Sequence, residues 1–126
     1  MTLIQILTIL APLVLAVETS DLNDRAVGTD GLSYGAYQIT DICRRDINEI
    51  YGKMFTREDC FDRAKSAMMF ELYLKHYCRA SRLGHRPTTQ DAARIWNGGP
   101  NGWKKQSTAK YWKKIEAEAT GKAMTK

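Results

Sequence analysis

Apolar residues recur at helical spacing along most of the chain, and no segment alternates apolar and polar residues with the period of a strand. A first helix is predicted over residues 3–19, which are almost entirely apolar. A second is predicted from about Gly35 to Tyr51, because Gly52 is a natural stop. The intervening residues 20–34 are rich in Asp, Asn and Gly, which favours turns with or without a small irregular hairpin.

A third helix is predicted over residues 57–82, because Thr56 and Asp59 form the Ser/Thr-x-x-acid pattern of a capping box. Gly84 follows as its stop. The apolar positions that recur at helical spacing are expected in the core, and they are Phe61, Ala64, Met68, Met69 and Leu72.

The capping pattern occurs again at Thr88 and Asp91, ahead of a short helix predicted over residues 90–96. Residues 97–102 read Asn-Gly-Gly-Pro-Asn-Gly and are expected to end that helix, and a last helix is predicted over residues 103–119. The fold class is therefore mainly α, a helical bundle with one small irregular lobe around residues 20–34. A length of 126 residues predicts a single domain, 1–126.

The apolar run of residues 3–17 is shorter than the roughly 20 residues that a membrane span needs. A signal peptide is the rival interpretation, because Val14-Leu15-Ala16 fits a cleavage site. Against it, the first basic residue is Arg25, and a signal peptide normally begins with positive charge. We expect a buried first helix and no integral association with a membrane.

The chain is basic, with 19 Lys and Arg against 14 Asp and Glu, which suits a polyanionic partner or simply favours solubility. Its cysteines are Cys43, Cys60 and Cys78, and an odd number argues against a disulfide framework. If Cys60 and Cys78 share the third helix, they lie roughly 27 Å apart, too far for a bridge. We therefore expect free thiols, with no zinc site, no other metal and no cofactor.

Glu18 is the strongest candidate for a catalytic residue. Apolar surroundings raise the pKa of a carboxyl group, and cleavage of a glycosidic bond needs an acid that keeps its proton near neutral pH. Leu15, Val14 and Ala11 lie on the same helical face as Glu18, which also sits at the negative end of the helix dipole. The alternative is an ordinary solvated glutamate at a helix end. The pattern favours a general acid.

Three segments resemble the signatures of lysozyme-superfamily muramidases: Glu18-Thr19-Ser20, residues 35–39 (Gly-Ala-Tyr-Gln-Ile) and residues 93–102. The third, continued by Ser107-Thr108 and Tyr111-Trp112, is especially similar to invertebrate-type (destabilase-like) lysozymes. The same order also resembles soluble-lytic-transglycosylase-like domains, some of them encoded by bacteriophages. The likeness runs from about residue 9 to residue 116.

The resemblance implies a glycoside hydrolase that cleaves the β-1,4 bond between N-acetylmuramic acid and N-acetylglucosamine, with Glu18 as general acid. The residues that it implies for substrate binding are Thr19, Ser33, Tyr34, Tyr37, Gln38, Trp96, Asn97, Gly98 and Gly99. The second carboxylate has three candidates, Asp21, Asp24 and Asp30, of which Asp30 is preferred as nucleophile or ion-pair stabiliser. Asp30-Gly31 is also a common turn pair. A lytic transglycosylase would need Glu18 alone.

Three departures from the family pattern narrow the expectation, and the third is that Asp30 aligns a residue or two out of register with the Asp of invertebrate-type lysozymes. Thr19 replaces a serine but keeps the hydroxyl, and the chain lacks the dense disulfides of invertebrate-type lysozymes. The second departure favours a cytosol-made or phage-type relative. The expected partner is the glycan strand of peptidoglycan, met in the extracellular or periplasmic cell wall by a protein that we expect to be monomeric.

The Lys- and aromatic-rich segment 103–114 also fits a nucleic-acid-binding surface. An amphipathic surface helix is the preferred explanation, because Trp112, Ile115 and Ala119 fall on one face with lysines around it, and the same lysines could hold the protein on an anionic cell wall. We therefore expect no nucleic-acid partner.

Overall fold

The computed structural model describes residues 1–19 and 23–121, and most of these residues are helical. In chain order the elements are α1 (Leu3–Glu18), β1 (Ser33–Tyr34), β2 (Ile39–Thr40), α2 (Asp41–Tyr51), a 3₁₀ turn (Glu58–Phe61), α3 (Arg63–Tyr77), α4 (Ala80–Leu83), α5 (Thr89–Gly98), two further 3₁₀ turns (Gly102–Lys104 and Gln106–Thr108) and α6 (Ala109–Ala119). The prediction of a mainly helical fold with one small irregular lobe is confirmed.

The chain forms two compact units. One comprises residues 1–17 and 74–126, and its buried apolar side chains come chiefly from α1, α5 and α6. The other comprises residues 18–73 and contains both strands, which pair antiparallel with Ser33 opposite Thr40. A single domain over the whole length remains a prediction.

Helix α1 is buried on one face only. Ile6, Leu10 and Val14 recur every four residues and are fully buried, whereas Ile4 is 77% exposed and Ile9 is 45% exposed. The expectation of a buried first helix is therefore correct for one face and wrong for the other. Within the described part of the chain, every helix is too short or too polar to cross a membrane.

Helix α2 begins at Asp41, so the predicted start near Gly35 is wrong. Gly35 and Gln38 have φ angles of 81° and 55°, which turn the backbone out of any helix. Two residues of strand follow, and the side chain of Thr40 then accepts a hydrogen bond from the Cys43 N–H at 3.1 Å. That N-cap starts the helix. Gly52, with φ of 63°, ends α2 as predicted.

The single helix predicted over residues 57–82 is wrong. Thr56 and Asp59 do exchange the two hydrogen bonds of a capping box, but the segment that they open is a 3₁₀ turn. Asp62 then has an extended backbone, and α3 starts only at Arg63. Cys60 and Cys78 both lie outside α3, so their assumed place on one helix is also wrong. The prediction of free thiols is confirmed for all three cysteines.

The interruption at Asp62 also shifts the buried face of α3. The buried residues of this stretch are Ser66, Met69, Phe70, Tyr73 and Leu74. Met69 was correctly predicted, but Met68 is 47% exposed and the face through Phe61, Ala64 and Leu72 is not the core face. Counting helical turns from Phe61 gives the wrong phase, because Phe61 belongs to the preceding 3₁₀ turn.

Helix α5 has the predicted capping box at Thr88 and Asp91 but extends to Gly98, two residues beyond the expected end. Gly99, with φ of 91°, stops it. The last helix begins at Ala109 rather than Trp103, because the two 3₁₀ turns occupy the residues in between.

Gly35 is the position where an added methyl group should be most damaging. A Cβ there would lie 1.8 Å from the carbonyl oxygen of Cys60, and φ is 81°. Gly31 shares the left-handed φ, at 72°, but has open space around it. We expect Gly35→Ala to lower the free energy of unfolding by more than about 3 kcal/mol. Gly31→Ala should cost about 1 kcal/mol, from φ alone.

Urea unfolding of both variants measures the difference between them. Equal losses would contradict the close approach of Gly35 to the Cys60 backbone.

Candidate functional site

The end of α1 is fixed against the second motif segment. Glu18 is the last residue of α1 and is half-buried, and Val14, one turn earlier, is fully buried. Thr19 is 8% exposed, and its hydroxyl donates a long hydrogen bond to the carbonyl oxygen of Ala36 at 3.4 Å. The structure therefore brings the Glu18-Thr19 motif together with residues 35–39.

Gln38 is held at both ends of its side-chain amide. Its Nε2 donates to the carbonyl oxygen of Gly35 at 2.8 Å, and its Oε1 accepts from the hydroxyl of Ser33 at 3.0 Å. Its backbone is in the left-handed region, with φ of 55°. A residue other than glycine adopts this conformation at a cost of order 1 kcal/mol or more, and such strain is concentrated at functional sites. The predicted pair Ser33 and Gln38 is thus one rigid polar unit.

Gly28 leaves the space in which this polar unit lies. A Cβ at Gly28 would be 2.4 Å from the hydroxyl of Ser33, 2.9 Å from Oε1 of Gln38 and 3.3 Å from Oδ1 of Asp30. Three predicted site residues therefore converge on one glycine. Sequence reasoning missed Gly28, because a glycine in a turn-rich lobe carries no signal of close packing.

Asp30 is exposed and forms a turn. Its Oδ1 accepts a hydrogen bond from the backbone N–H of Leu32 at 2.9 Å, and Gly31 between them has φ of 72°. This is the side-chain turn that Asp commonly forms with the residue two positions on. Of the other candidate carboxylates, Asp24 is paired with the guanidinium of Arg63. Asp21 lies outside the described residues, as does Ser20 of the first motif.

Tyr34 is buried at 8% exposure and is fixed at both its ring and its hydroxyl. The hydroxyl donates to the carbonyl oxygen of Gly31 at 3.0 Å, and the guanidinium of Arg57 lies 4.7 Å from the ring centre. Arg57 is paired with Asp41, and its hydrogen bond is the main reason that the pKa of Asp41 falls to about 2. This chain of contacts supports the turn that contains Asp30.

Tyr37 is 4% exposed and packs on Phe70, with ring centres 5.0 Å apart. Burial raises the pKa of its hydroxyl above the ordinary value. Most of the ring is therefore covered by protein. Its predicted role in substrate binding stays a prediction.

The third motif segment belongs to the other compact unit, at the C-terminal end of α5. Trp96 and Gly98 are half-buried, Asn97 is exposed, and Gly99 follows with φ of 91° and ψ of −174°. The ammonium group of Lys105 donates to the carbonyl oxygen of Gly98 at 2.8 Å. All four residues predicted here are therefore adjacent on one helix end.

Two solved structures share the fold of this chain. One is a chain in the crystal structure of Aeromonas hydrophila PliI in complex with Meretrix lusoria lysozyme, with a TM-score of 0.71, 23% identity and 86% of each chain covered. The other is Tapes japonica lysozyme, with a TM-score of 0.69, 26% identity and 87% of this chain and 86% of that chain covered. The protein has a lysozyme-superfamily fold. No family model and no curated protein sequence matches it.

This lysozyme-like fold contains three free thiols, of which Cys60 and Cys78 are buried and Cys43 is half-buried. Desolvation raises the pKa of Cys43 to about 12, that of Cys60 to about 11 and that of Cys78 to about 12. A thiol with such a pKa stays protonated at neutral pH and is a poor nucleophile. Among residues 1–19 and 23–121, no three His, Cys, Asp or Glu side chains are grouped so that they could hold a metal ion.

Proposed function

We propose that this protein is a muramidase that hydrolyses the β-1,4 bond between N-acetylmuramic acid and N-acetylglucosamine, with Glu18 as general acid. The observation that carries the proposal is the contact from Thr19 to Ala36, because it holds the residue after Glu18 against the segment that contains Gln38. The lysozyme-superfamily fold supports the same assignment.

In the proposed reaction, Glu18 gives its proton to the glycosidic oxygen as the bond to the anomeric carbon breaks. Water supplies the hydroxyl group that joins the anomeric carbon and returns a proton to the enzyme. Ser33 and Gln38 offer fixed polar atoms to a sugar, and donors and acceptors that need no reorganisation are the effective ones. Trp96 and the glycines after it offer an aromatic surface and close access to backbone.

We expect Glu18→Gln to lower the rate of peptidoglycan cleavage by about 10²- to 10⁴-fold, the usual contribution of a general acid. The amide has nearly the same shape but has no acidic proton to give. The assay follows the release of soluble muropeptides from purified peptidoglycan. Glu49→Gln, on the exposed side of α2, is the matched control and should keep full activity. A Glu18→Gln variant that is as active as the control would overturn the proposal.

The alternative function is a lytic transglycosylase, which uses one carboxylate and lets the 6-hydroxyl of the sugar close onto the anomeric carbon. One observation favours it: Oδ1 of Asp30, the preferred second carboxylate, is engaged in a turn. We propose hydrolysis with Asp30 as the second carboxylate, acting as nucleophile or as stabiliser of the cationic transition state. Its second oxygen would carry that role.

The Asp30→Asn variant distinguishes hydrolysis that uses Asp30 from a lytic transglycosylase reaction that uses Glu18 alone. Asparagine keeps the turn, because its side-chain oxygen also accepts the Leu32 N–H, but it removes the charge. We expect a loss of activity of about 10²-fold or more, by analogy with other carboxylates that act on a developing charge. Mass spectrometry of the wild-type products should show reducing ends. Products with 1,6-anhydro ends, together with an active Asp30→Asn variant, would instead establish the transglycosylase.

Charge is unevenly divided between the two compact units, which bears on how the protein would meet a cell wall. Residues 1–17 and 74–126 carry twelve Lys and Arg against three Asp and Glu, whereas residues 18–73 carry seven against eleven. Lys110, Lys113 and Lys114 are exposed on α6, and Tyr111 and Ile115 of the same helix are buried. A nucleic-acid-binding surface would use the exposed aromatic rings of segment 103–114, and the ring of Tyr111 is buried. We therefore assign the lysines to an anionic cell wall.

We expect Lys110→Gln combined with Lys113→Gln to slow the lysis of whole cells several-fold at low ionic strength and to flatten its dependence on salt. Screening acts over about 8 Å at physiological ionic strength, so added salt should already weaken these contacts in the wild type. The control is Arg45→Gln with Lys53→Gln, which removes two exposed charges from the acidic unit. Equal effects of the two pairs would argue against a wall-binding role for α6.

A further inference from the structure

The chain that follows α5 is fixed to that helix by one buried hydroxyl group. Thr108 is 1% exposed. Its Oγ1 accepts a hydrogen bond from Nε of Arg94 at 2.7 Å. The same atom lies 2.7 Å from the carbonyl oxygen of Gly102 and 2.9 Å from that of Lys105, and its proton can be shared between them. Thr108 therefore joins α5 to both of the 3₁₀ turns that follow it.

Arg94 adds a second connection. Its Nη2 donates to the carbonyl oxygen of Lys105 at 2.7 Å, and the ammonium group of Lys105 in turn donates to the carbonyl oxygen of Gly98 at 2.8 Å. The side chains of Arg94 and Thr108, with the carbonyl oxygens that they bind, are called the Arg94–Thr108 clamp below. The clamp lies against the end of α5 at Gly98, next to Trp96, Asn97 and Gly99 in the chain.

Two glycines make this close approach possible. A Cβ at Gly98 would lie 2.4 Å from the methyl carbon of Thr108, and a Cβ at Gly102 would lie 2.0 Å from the carbonyl oxygen of Arg94. Neither glycine has a left-handed φ, so what glycine provides at these positions is space. The segment is thus packed as well as hydrogen-bonded.

We propose that Arg94 and Thr108 are positioning residues, which hold the Trp96–Gly99 segment in the one conformation that binds the glycan. The inference rests on the proposed muramidase function. A glycine-rich segment left free would lose much conformational entropy on binding a sugar, and fixing it beforehand removes that loss from the binding step. Cys43, Cys60 and Cys78 are free, so hydrogen bonds and packing hold this segment without a disulfide.

Two substitutions of Thr108 separate its hydroxyl from its shape. Thr108→Val keeps the branched shape and the methyl group but removes the hydroxyl, whereas Thr108→Ser keeps the hydroxyl. We expect Thr108→Val to raise KM for a soluble peptidoglycan oligosaccharide roughly five- to tenfold, with kcat within about twofold of wild type. Thr108→Ser should keep nearly the wild-type KM.

Thr88→Val is the matched control, because it removes a hydroxyl from the other end of the same helix. The side chain of Thr88 accepts from the backbone N–H of Asp91 at 3.1 Å and caps α5. Its loss weakens the helix without touching the clamp. A general loss of stability would therefore raise KM in both valine variants, and that result would overturn the inference.

Amide hydrogen exchange reports on the segment without any need for activity. The N–H of Gly99 donates to the carbonyl oxygen of Ile95 at 2.9 Å, and the N–H of Gly102 to that of Gly99 at 2.8 Å. Both amides should exchange faster in Thr108→Val than in Thr88→Val. Faster exchange with a raised KM supports the inference.

Faster exchange with an unchanged KM, or unchanged exchange, would overturn the inference while leaving the muramidase assignment intact. A wild-type protein that does not cleave peptidoglycan would overturn the assignment itself.

Discussion

The candidate site depends on the turn at residues 35–38, where the backbone packs too closely for most other residues. Gly35 lies against the backbone of Cys60, and Thr19 reaches the carbonyl oxygen of Ala36. Through the first contact the turn is fixed to the 3₁₀ segment before α3, and through the second to the end of α1. Glu18, which we propose as general acid, can work with polar groups on the turn only if the contact from Thr19 to Ala36 holds. Loss of the Thr19 contact would release the residue after Glu18 from the turn without removing any side chain from the site.

The turn also explains why position 38 carries a glutamine, although glycine would adopt the left-handed backbone at a lower energetic cost. Gln38 needs its side chain, because the amide bridges Ser33 and the carbonyl oxygen of Gly35. The two hydrogen bonds, each of about 1 kcal/mol net, are comparable with the cost of a left-handed backbone. Gly28 leaves room for the polar atoms of Ser33 and Gln38, which a side chain at this position would displace. The strained backbone of Gln38 and the missing side chain of Gly28 thus let the amide and the hydroxyl group be fixed before a ligand arrives.

The sequence was sufficient for features that depend on local chemistry and insufficient for those that depend on distant partners. The stop at Gly52 and the capping box at Thr88 were predicted, and the end of α1 was predicted to within one residue, because each is decided within about four residues. The start of α2 was missed, since Tyr37 and Ile39 fit a helix and a short strand equally well. The buried face of α3 was predicted wrongly for a similar reason, because nothing in the sequence indicates that the backbone of Asp62 is extended. The role of Gly28 could not be predicted without the fold, because it depends on the close approach of side chains two, five and ten residues further along the chain.

Candidate residues in each of the two compact units are fixed in the same way, each unit taken by itself. In one unit a serine hydroxyl fixes Gln38 over Gly28, and in the other a threonine hydroxyl fixes the end of α5 beside Gly98. A chain of this length can bury roughly two-thirds of its unfolded surface, so it needs no covalent links to fold. What a site needs beyond folding is a fixed local geometry. Hydrogen-bonded hydroxyl groups supply that geometry here, and a glycine without a side chain leaves room for each of them.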